Sequence, residues 1–276
     1  MRLADVLRRA TDHLDKTSET GRLDAELLLA HSLGRQRIEL YTDFDRPLND
    51  AELDGYRALV ARRARREPVA YILGEWGFRR LTLRVDRRAL IPRPETEIVV
   101  ERCLAHLRGL DAPRVLDVGT GTGAIALAIA DEHPGARVSA VDVSAEALEL
   151  ARENKALTGL DVELLEHDVR TGLPGGPYEL VVSNPPYVAP GELEALMPDV
   201  RDYEPHVALV GSGATEAVAR AAAAALEPGG LLVLEVGDGQ AAATAALLAE
   251  LGYGSVLTTP DLTGRERVVE GRHGER

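Results

Sequence analysis

Apolar residues near the start of the chain recur every three or four positions, which is the spacing of one face of an α-helix. Similar series follow at 23–30 and 53–60, and Gly34 comes just after the first of these, where helices commonly end. Asn49 precedes Glu52 by three residues, a capping arrangement that suits the start of the last helix. We predict a small helical bundle over residues 1–70, a usual shape for docking a protein partner. The opening series comprises Leu3, Val6, Leu7, Ala10 and Leu14.

The pattern changes near residue 71. Residues 81–85 alternate between apolar and polar, as a half-buried strand does, and we interpret 71–91 as a β-hairpin that links two domains. A proline-rich segment then opens a helix that runs to about His106. Between 92 and 276, apolar runs typical of buried strands are separated by helical stretches. This predicts an α/β domain.

A glycine-rich turn follows the first strand of that domain. Residues 115–118 form the predicted strand, and an apolar helix begins at Ala124. Glycines allow the backbone to approach a ligand closely and to adopt unusual dihedral angles. The GxGxG spacing differs from the GxGxxG of dinucleotide-binding folds, and Asp117 precedes the first glycine. The turn comprises Gly119, Thr120, Gly121, Thr122 and Gly123.

Acidic residues stand at the ends of the next two predicted strands. Asp142 ends the strand at 137–141, where a carboxylate can accept hydrogen bonds from both hydroxyls of a ribose. It could equally belong to the start of the helix near Ser144. Asp168 follows the strand at 162–166. Either acid alone would be explained as a loop or capping residue, but their succession after a glycine turn indicates a ligand site.

The most informative motif is Asn-Pro-Pro-Tyr at 184–187, after an apolar strand at 178–183. Prolines cannot continue a strand ladder, so a carboxamide and a phenol are left at the carboxyl end of a strand, where open α/β sheets bind ligands. The asparagine oxygen can accept a hydrogen bond from a planar NH2 group, and an aromatic ring can pack over its face. The motif therefore predicts chemistry on an amide or amino nitrogen. Its residues are Asn184, Pro185, Pro186 and Tyr187.

This succession of motifs resembles the Rossmann-like class I methyltransferases that use S-adenosylmethionine. The resemblance implies a mostly parallel seven-stranded sheet with the glycine turn under the cofactor, Asp142 at its ribose, and Asp168 and Val169 beside its adenine. Val169 stands where some members carry a large aromatic residue. The Asn-Pro-Pro-Tyr branch methylates planar nitrogen: base amines in nucleic acid or glutamine amides in protein. The implied cofactor contacts are Asp117, Gly119, Thr120, Gly121, Thr122, Gly123, Asp142, Val143, Asp168, Val169 and Asn184.

Charge helps to choose between these substrates. The net charge is -13, and residues 1–110 hold 21 basic and 18 acidic side chains, whereas 111–276 hold 11 and 27. An acidic catalytic half argues against stable binding to nucleic acid, whose phosphates attract basic surfaces. The ten arginines between 62 and 93 are interpreted mainly as a solvated face, although a minority could contact an acidic or RNA-like partner.

Other features of composition restrict the class of protein. Cys103 is the one cysteine and lies in an apolar helical pattern, so we expect a packed thiol and no internal disulfide. No histidine or cysteine spacing predicts a metal site. No apolar run approaches the roughly 20 residues of a membrane span, and residues 1–5 lack a signal-peptide core. We expect a cytoplasmic protein, and a monomer because no heptad repeat is present.

Further segments sharpen the resemblance to the HemK-type (PrmC-like) release factor N5-glutamine methyltransferases. It covers nearly the whole chain, and the Ile-Pro-Arg-Pro-Glu-Thr-Glu segment at 91–97 is its most specific part. Glu95, Glu97, Glu235, Asp261 and Arg265 fall in these segments, where capping or ion pairing explains them as well as ligand contact would. The remaining segments are 70–74 with Phe78, the glycine turn, 183–187, 234–240 and 261–267.

The resemblance implies a defined reaction. A methyl group passes from S-adenosylmethionine to the side-chain amide nitrogen of the glutamine in the GGQ loop of a bacterial class I release factor. Asn184 Oδ1 and the Pro185 carbonyl would each accept a hydrogen bond from that NH2 group, Pro186 would stiffen the loop, and Tyr187 would pack on the amide. Arg93 and Glu95 are further candidates for substrate contact. The alternatives are methylation of DNA or RNA base amines, and a non-catalytic module that binds the cofactor.

Overall fold

The computed structural model describes residues 1–274. These residues form two compact units. The first consists of Met1–Glu75 and the later segment Leu196–Tyr203, and the second consists of Trp76–Ala195 and the chain from Glu204 onward. No helix in the described part of the chain is both long and apolar enough to cross a bilayer.

The first unit is helical. All five apolar residues of the first predicted series are buried. The predicted cap at Asn49 is confirmed: its Oδ1 accepts from Glu52 N at 2.9 Å, and the Glu52 carboxylate accepts from Asn49 N at 3.0 Å. The α-helices of this unit are α1 (Leu3–Leu14), α2 (Gly21–Ser32), α3 (Asp50–Ala64), α4 (Val69–Leu73) and α8 (Pro198–Arg201).

A buried ionic group joins three helices of the first unit. Arg63, on α3, is 7% exposed; its Nε donates to Asp24 of α2 at 2.7 Å and its Nη1 to Asp199 of α8 at 2.6 Å. A buried guanidinium between two carboxylates has most of its lost hydration replaced. The α8 segment thus packs in the first unit although it lies more than a hundred residues further along the chain, which the helical spacing of residues 1–70 did not predict.

A β-hairpin is present, as predicted. It spans residues 75–84, which is shorter than the predicted range 71–91. β1 is Glu75–Phe78 and β2 is Leu81–Arg84. Residues 71–73 belong to α4 instead, which ends where Gly74 adopts a φ of 75°. Beyond β2 the chain is irregular, and the Asp86 carboxylate accepts hydrogen bonds from Arg88.

The second unit contains a seven-stranded sheet in the order β5-β4-β3-β6-β7-β9-β8. β5, β4, β3, β6 and β7 run parallel to one another. β9 is antiparallel to both β7 and β8. The predicted α/β class and mostly parallel sheet are confirmed. The strands are β3 (Arg114–Val118), β4 (Arg137–Asp142), β5 (Val162–Glu166), β6 (Tyr178–Ser183), β7 (Leu226–Glu235), β8 (Tyr253–Pro260) and β9 (Glu266–His273).

Helices cover both faces of the sheet because successive strand residues point to opposite sides. Val115 packs in the apolar layer that holds α5 and α6, whereas Leu116 packs in the layer that holds α10 and α11. Cys103 lies in the first layer, fully buried, and burial raises the pKa of its thiol. The α-helices of this unit are α5 (Thr96–Leu107), α6 (Ala124–Glu132), α7 (Ala145–Thr158), α9 (His206–Leu209), α10 (Ala214–Ala225) and α11 (Ala241–Glu250).

The order of the strands in the sheet determines where a ligand crevice can lie. From β3 the chain passes to β4 on one side, whereas β6 lies on the other side of β3 and is followed by β7 beyond it. Such a reversal of strand order opens a crevice at the carboxyl ends of the central strands. Val118 pairs with Val141 and with Ser183. Gly119, Asp142 and Asn184, the next residues along these strands, therefore emerge side by side.

Candidate active site

A crevice opens at this edge of the sheet, within the second unit. The glycine turn forms its floor, and Asn184 with the two prolines forms one wall. Of the residues predicted from sequence, those that line it are Gly119, Thr120, Gly121, Thr122, Asp142, Val143, Asp168, Val169, Asn184, Pro185, Pro186 and Arg93.

Asp117 lies beneath the glycine turn and does not line the crevice. Its Oδ2 accepts from Thr120 Oγ1 at 2.6 Å and from Ala126 N at 3.3 Å, so it ties the turn to α6. Burial raises its pKa to about 7. Gly123 is also set back from the crevice, and a Cβ there would come within 3.2 Å of Leu127. Both residues have a supporting position under the turn, and their contact with the cofactor stays a prediction.

The Asp142 carboxylate is oriented by the backbone. Its Oδ2 accepts from Gly121 N and its Oδ1 from Ser144 N, both at 2.9 Å. The cap of α7 is supplied by Ser144, whose hydroxyl accepts from Ala147 N at 3.2 Å, so capping does not account for Asp142. Burial raises the pKa of Asp142, and hydrogen bonds from the backbone oppose that shift. Each oxygen keeps lone pairs for a further donor, such as a ribose hydroxyl.

The next strand end contributes both polar and apolar surface. The Asp168 carboxylate accepts from Arg170 N at 2.9 Å and caps a single 3-10 turn at Val169–Thr171. Val143 is exposed and Val169 half-buried, and both line the crevice. A flat heterocycle that carries an amino group would find apolar contacts on its faces and an acceptor at its edge.

The amide nitrogen of the Asn184 side chain already forms a hydrogen bond. Its Nδ2 donates to Thr96 Oγ1 at 3.3 Å, at the start of α5. Within residues 1–274, no group donates to Asn184 Oδ1. An oxygen acceptor therefore remains available beside the crevice, at the position where the sequence predicted one.

The loop after Asn184 is packed against two glycines. A Cβ on Gly211 would lie 2.1 Å from the Pro186 carbonyl oxygen, and one on Gly237 would lie 2.9 Å from the Tyr187 ring. The Gln240 side chain donates to the Tyr187 carbonyl at 3.0 Å and accepts from Gly237 N at 3.2 Å. Tyr187 does not itself line the crevice; burial is the main cause of the raised pKa of its phenol.

Arg93 lines the crevice, but its charge is already paired. Its guanidinium bonds to Glu204, whose carboxylate is 3% exposed and also accepts from Ile91 N at 3.2 Å. This pairing anchors the 91–93 segment, so Arg93 offers the substrate less free charge than the sequence suggested. Glu95, the other candidate for substrate contact, does not line the crevice.

Other acidic residues of the motifs have structural partners. Asp261 Oδ1 accepts from Thr263 N, Thr263 Oγ1 and Arg265 N, which closes the turn between β8 and β9, and these bonds lower its pKa to about 2. Glu97 accepts from Arg79 N at 3.0 Å. Within the described residues no group of histidine, cysteine and acidic side chains has the arrangement of a metal site.

Three polar residues beside the site were not assigned a role from sequence: Thr96, Glu204 and Glu235. Each is buried, with 4%, 3% and 2% exposure respectively. The available signal for Glu235 was an acid at the end of an apolar strand, the same signal that identified Asp142. Thr96 lies in the 91–97 segment that carried the family resemblance, but nothing local pointed to its partner; Glu204 carried no signal, because its partners are distant in sequence.

Family models and curated relatives match this chain along most of its length. Residues 5–74 match the model of the PrmC N-terminal domain, and residues 96–199 match the methyltransferase small domain. The release factor glutamine methyltransferase of Deinococcus radiodurans is 45% identical over 280 residues, covering 99% of both chains. That of Geobacter sulfurreducens is 43% identical over 264 residues, covering 94% of this chain and 92% of the relative.

Solved structures share the fold at lower identity. The T. thermophilus 16S rRNA N2 G1207 methyltransferase, solved with AdoMet and guanosine, superposes with a TM-score of 0.53 at 21% identity, covering 72% of this chain and 49% of that one. A methyltransferase from Pyrococcus furiosus gives 0.51 at 19% identity, covering 70% and 89%. These likenesses support the methyltransferase fold of the second unit.

Proposed function

The chain belongs to the release factor glutamine methyltransferase family, and we propose that it methylates the side-chain amide nitrogen of the GGQ glutamine in a bacterial class I release factor. S-adenosylmethionine, when bound, supplies an electrophilic methyl group on a positively charged sulfur. The single observation that carries the proposal is the register of β3 and β6, in which Val118 pairs with Ser183. It sets the free acceptor of Asn184 next to the glycine turn.

The crevice suits the cofactor on three counts. The glycine turn leaves its backbone open to close approach, since Gly119 and Gly121 have positive φ and a Cβ on Gly119 would meet no atom within 4 Å. The Asp142 carboxylate has unused lone pairs for ribose hydroxyls. Val143 and Val169 offer apolar surface for an adenine, with Asp168 near its amino group.

The low reactivity of the substrate amide determines what Asn184 has to do in catalysis. An amide nitrogen is a poor nucleophile because its lone pair is delocalised into the carbonyl group. Two acceptors, Asn184 Oδ1 and the Pro185 carbonyl, would each hold one N–H and thereby fix the direction of the nitrogen and increase its electron density. Orientation of reacting groups can contribute about 7–11 kcal/mol to lowering a barrier. The rigid proline backbone keeps those two acceptors in place.

Partner recognition follows from the family. We propose that the helical first unit docks the release factor, while the acidic stretch 111–276, with 11 basic and 27 acidic residues, disfavours nucleic acid as substrate. That the protein acts in the cytoplasm as a monomer also stays a prediction.

A labelling experiment tests the proposal. The purified protein is incubated with methyl-labelled S-adenosylmethionine and, in separate reactions, a release factor, the same factor with the GGQ glutamine replaced by glutamate, DNA and RNA. We expect label in the unaltered release factor alone. Label that persists after the glutamine is replaced would disprove the assignment of the acceptor atom, and label in DNA or RNA would favour a base-amine methyltransferase.

A further inference from the structure

Three polar side chains meet at the edge of the crevice, where Asn184 and Thr96 line it and Glu235 is buried beside them. Ser183 pairs with Leu234 across β6 and β7. Asn184 and Glu235, the next residues, therefore end these parallel strands side by side. Thr96 opens α5 and accepts from Asn184 Nδ2 at 3.3 Å. Glu235 is 2% exposed, and its carboxylate lies close to the side chains of both Thr96 and Asn184.

The Glu235 carboxylate restricts the directions in which its neighbours can form hydrogen bonds. An ionised carboxylate accepts hydrogen bonds and cannot donate them. The Thr96 hydroxyl, whose oxygen accepts from Asn184 Nδ2, can therefore turn its proton toward Glu235 and keep its lone pairs on Asn184. Beside a hydroxyl oxygen and a carboxylate, both of which attract donors, Asn184 presents its NH2 end. Its Oδ1 is consequently the end that remains for the substrate.

We propose that Glu235 is a positioning residue for methyl transfer, which acts directly and through Thr96 to hold the carboxamide oxygen of Asn184 toward the substrate amide. The inference rests on the proposed function, because it concerns the residue that grips the glutamine NH2 group. It assigns a task to a carboxylate that touches neither substrate nor cofactor.

The surroundings of Glu235 argue against a purely structural role. Its Oε2 is buried and has no hydrogen-bond partner among the described residues. Arg267 is the cation nearby; its two Nη atoms bond to Asp261 at 3.4 Å and to the Val236 carbonyl at 3.3 Å, whereas its buried Nε has no hydrogen-bond partner among the described residues. A buried carboxylate with an unsatisfied oxygen destabilises a fold, and an apolar residue would pack at lower cost. Each such exception in a native protein calls for an explanation, and the position of Glu235 beside Asn184 supplies one.

Protonation of Glu235 would allow the donor and acceptor roles in this group to reverse. A neutral carboxyl group can donate to the Thr96 oxygen, and the Thr96 hydroxyl can then donate its proton to the Oδ1 of a flipped Asn184 carboxamide. Burial raises the pKa of Glu235 to about 7, and Glu95 contributes to the rise, while Thr96, Arg267 and Asn184 oppose it. Tyr187 also faces this carboxylate. The wild-type rate of methyl transfer should therefore fall as the pH decreases through about 7.

Kinetics of matched variants test the proposal. In Glu235→Gln, the neutral amide can donate or accept, so the preference for one Asn184 orientation is lost. We expect kcat to fall about 100-fold, with the dissociation constant of S-adenosylmethionine and the KM for release factor little changed, and the acidic limb of the pH profile removed. Thr96→Val should behave similarly, whereas Thr96→Ser keeps the hydroxyl and should retain most of kcat.

The control is a second buried glutamate on the same sheet. Glu270 is 5% exposed and bonds Arg102 at 2.7 and 2.8 Å, away from the crevice. Glu270→Gln should lower the thermal midpoint without changing the pH profile of kcat. If Glu235→Gln retains wild-type kcat and its acidic limb, or if Thr96→Ser is as impaired as Thr96→Val, the proposal is overturned.

A spectroscopic readout separates this inference from the proposed function. The side-chain NH2 resonances of Asn184, identified by their loss in Asn184→Ala, should titrate with a midpoint near 7 in the wild-type protein and not in Glu235→Gln. This measurement needs no turnover, so it holds even if no release factor is methylated. Resonances that do not titrate, or that titrate equally in Glu235→Gln, would show that Glu235 does not control Asn184.

Discussion

The hydroxyl of Ser183 donates a buried 2.7 Å hydrogen bond to the carbonyl of Val118, its register partner on the neighbouring strand. This bond links the last pair of residues in the β3–β6 register. One residue further along, β3 becomes the glycine turn and β6 becomes the Asn-Pro-Pro-Tyr loop. The two halves of the site are thus tied together at the point where they leave the sheet.

Removal of that bond should loosen the site and lower stability. We expect Ser183→Ala to decrease the free energy of unfolding by about 1 kcal/mol, the usual contribution of a neutral hydrogen bond. Denaturant titration measures the change. Ser139→Ala is the control, because the Ser139 hydroxyl bonds Glu163 at an exposed position and should contribute little. Equal effects of the two variants would contradict the role given to Ser183.

Asn184→Ala should nearly abolish methyl transfer, since it removes an acceptor that only the reacting amide uses. We expect kcat/KM to fall by about 100- to 1,000-fold, the range seen when one preorganised hydrogen-bonding group is lost from an active site. Calorimetry should show that S-adenosylmethionine still binds with a modest change in affinity. Transfer at close to the wild-type rate would refute the proposed grip on the substrate NH2 group.

Asp142→Ala should act on cofactor affinity instead. Hydrogen bonds to charged groups contribute about 1.5–3 kcal/mol, so the dissociation constant of S-adenosylmethionine should rise by about one to two orders of magnitude. Asp161→Ala serves as the control, because the Asp161 side chain is fully exposed and bonds only Lys155 among the described residues. An unchanged dissociation constant in Asp142→Ala would remove this residue from the ribose site.

The buried Arg63 should be important for the stability of the first unit. Arg63→Ala leaves Asp24 and Asp199 buried without their cation, and breaking such a group costs about 3–5 kcal/mol. Urea unfolding of Arg63→Ala should show this loss, whereas Arg57→Ala, which breaks a solvent-exposed pair with Asp54, should stay within about 1 kcal/mol of wild type. Similar stabilities for both variants would mean that the buried pair contributes little.

Asp117 predicts a pH dependence of stability. Burial raises its pKa from 3.8 to about 7 in the folded protein. The folded state therefore binds a proton more tightly than the unfolded state, and this contribution to stability is complete below pH 3.8 and declines as the pH rises through about 7. Asp117→Asn cannot titrate there. The difference in unfolding free energy between wild type and Asp117→Asn should shift against the wild type from pH 5 to pH 8, and a constant difference would contradict the assignment.

Local patterns were sufficient for much of this protein. Apolar spacing identified α1 and the strand that ends at the glycine turn, and the Asn49–Glu52 spacing identified a helix cap, because these depend on residues close together in the sequence. Motif order indicated the methyltransferase fold, which the comparisons confirmed, and the strand ends pointed to the residues that line the crevice. The periodicity of a strand shows which residues face a helical layer, but it does not show which strand lies beside it.

The neighbours across strands and segments were decided only by tertiary structure. Pairing of β6 with β7 brings Glu235 beside Asn184, although 50 residues separate them in the chain. Folding likewise places Glu204 against Arg93, Asp117 beneath the turn instead of in the crevice, and Asp199 on Arg63. Glu204 with Arg93 and Asp199 with Arg63 replace lost hydration by pairing opposite charges, whereas Asp117 and Glu235 each keep a buried oxygen without a partner within residues 1–274. These arrangements depend on burial and on long-range packing, which no local pattern of residues records.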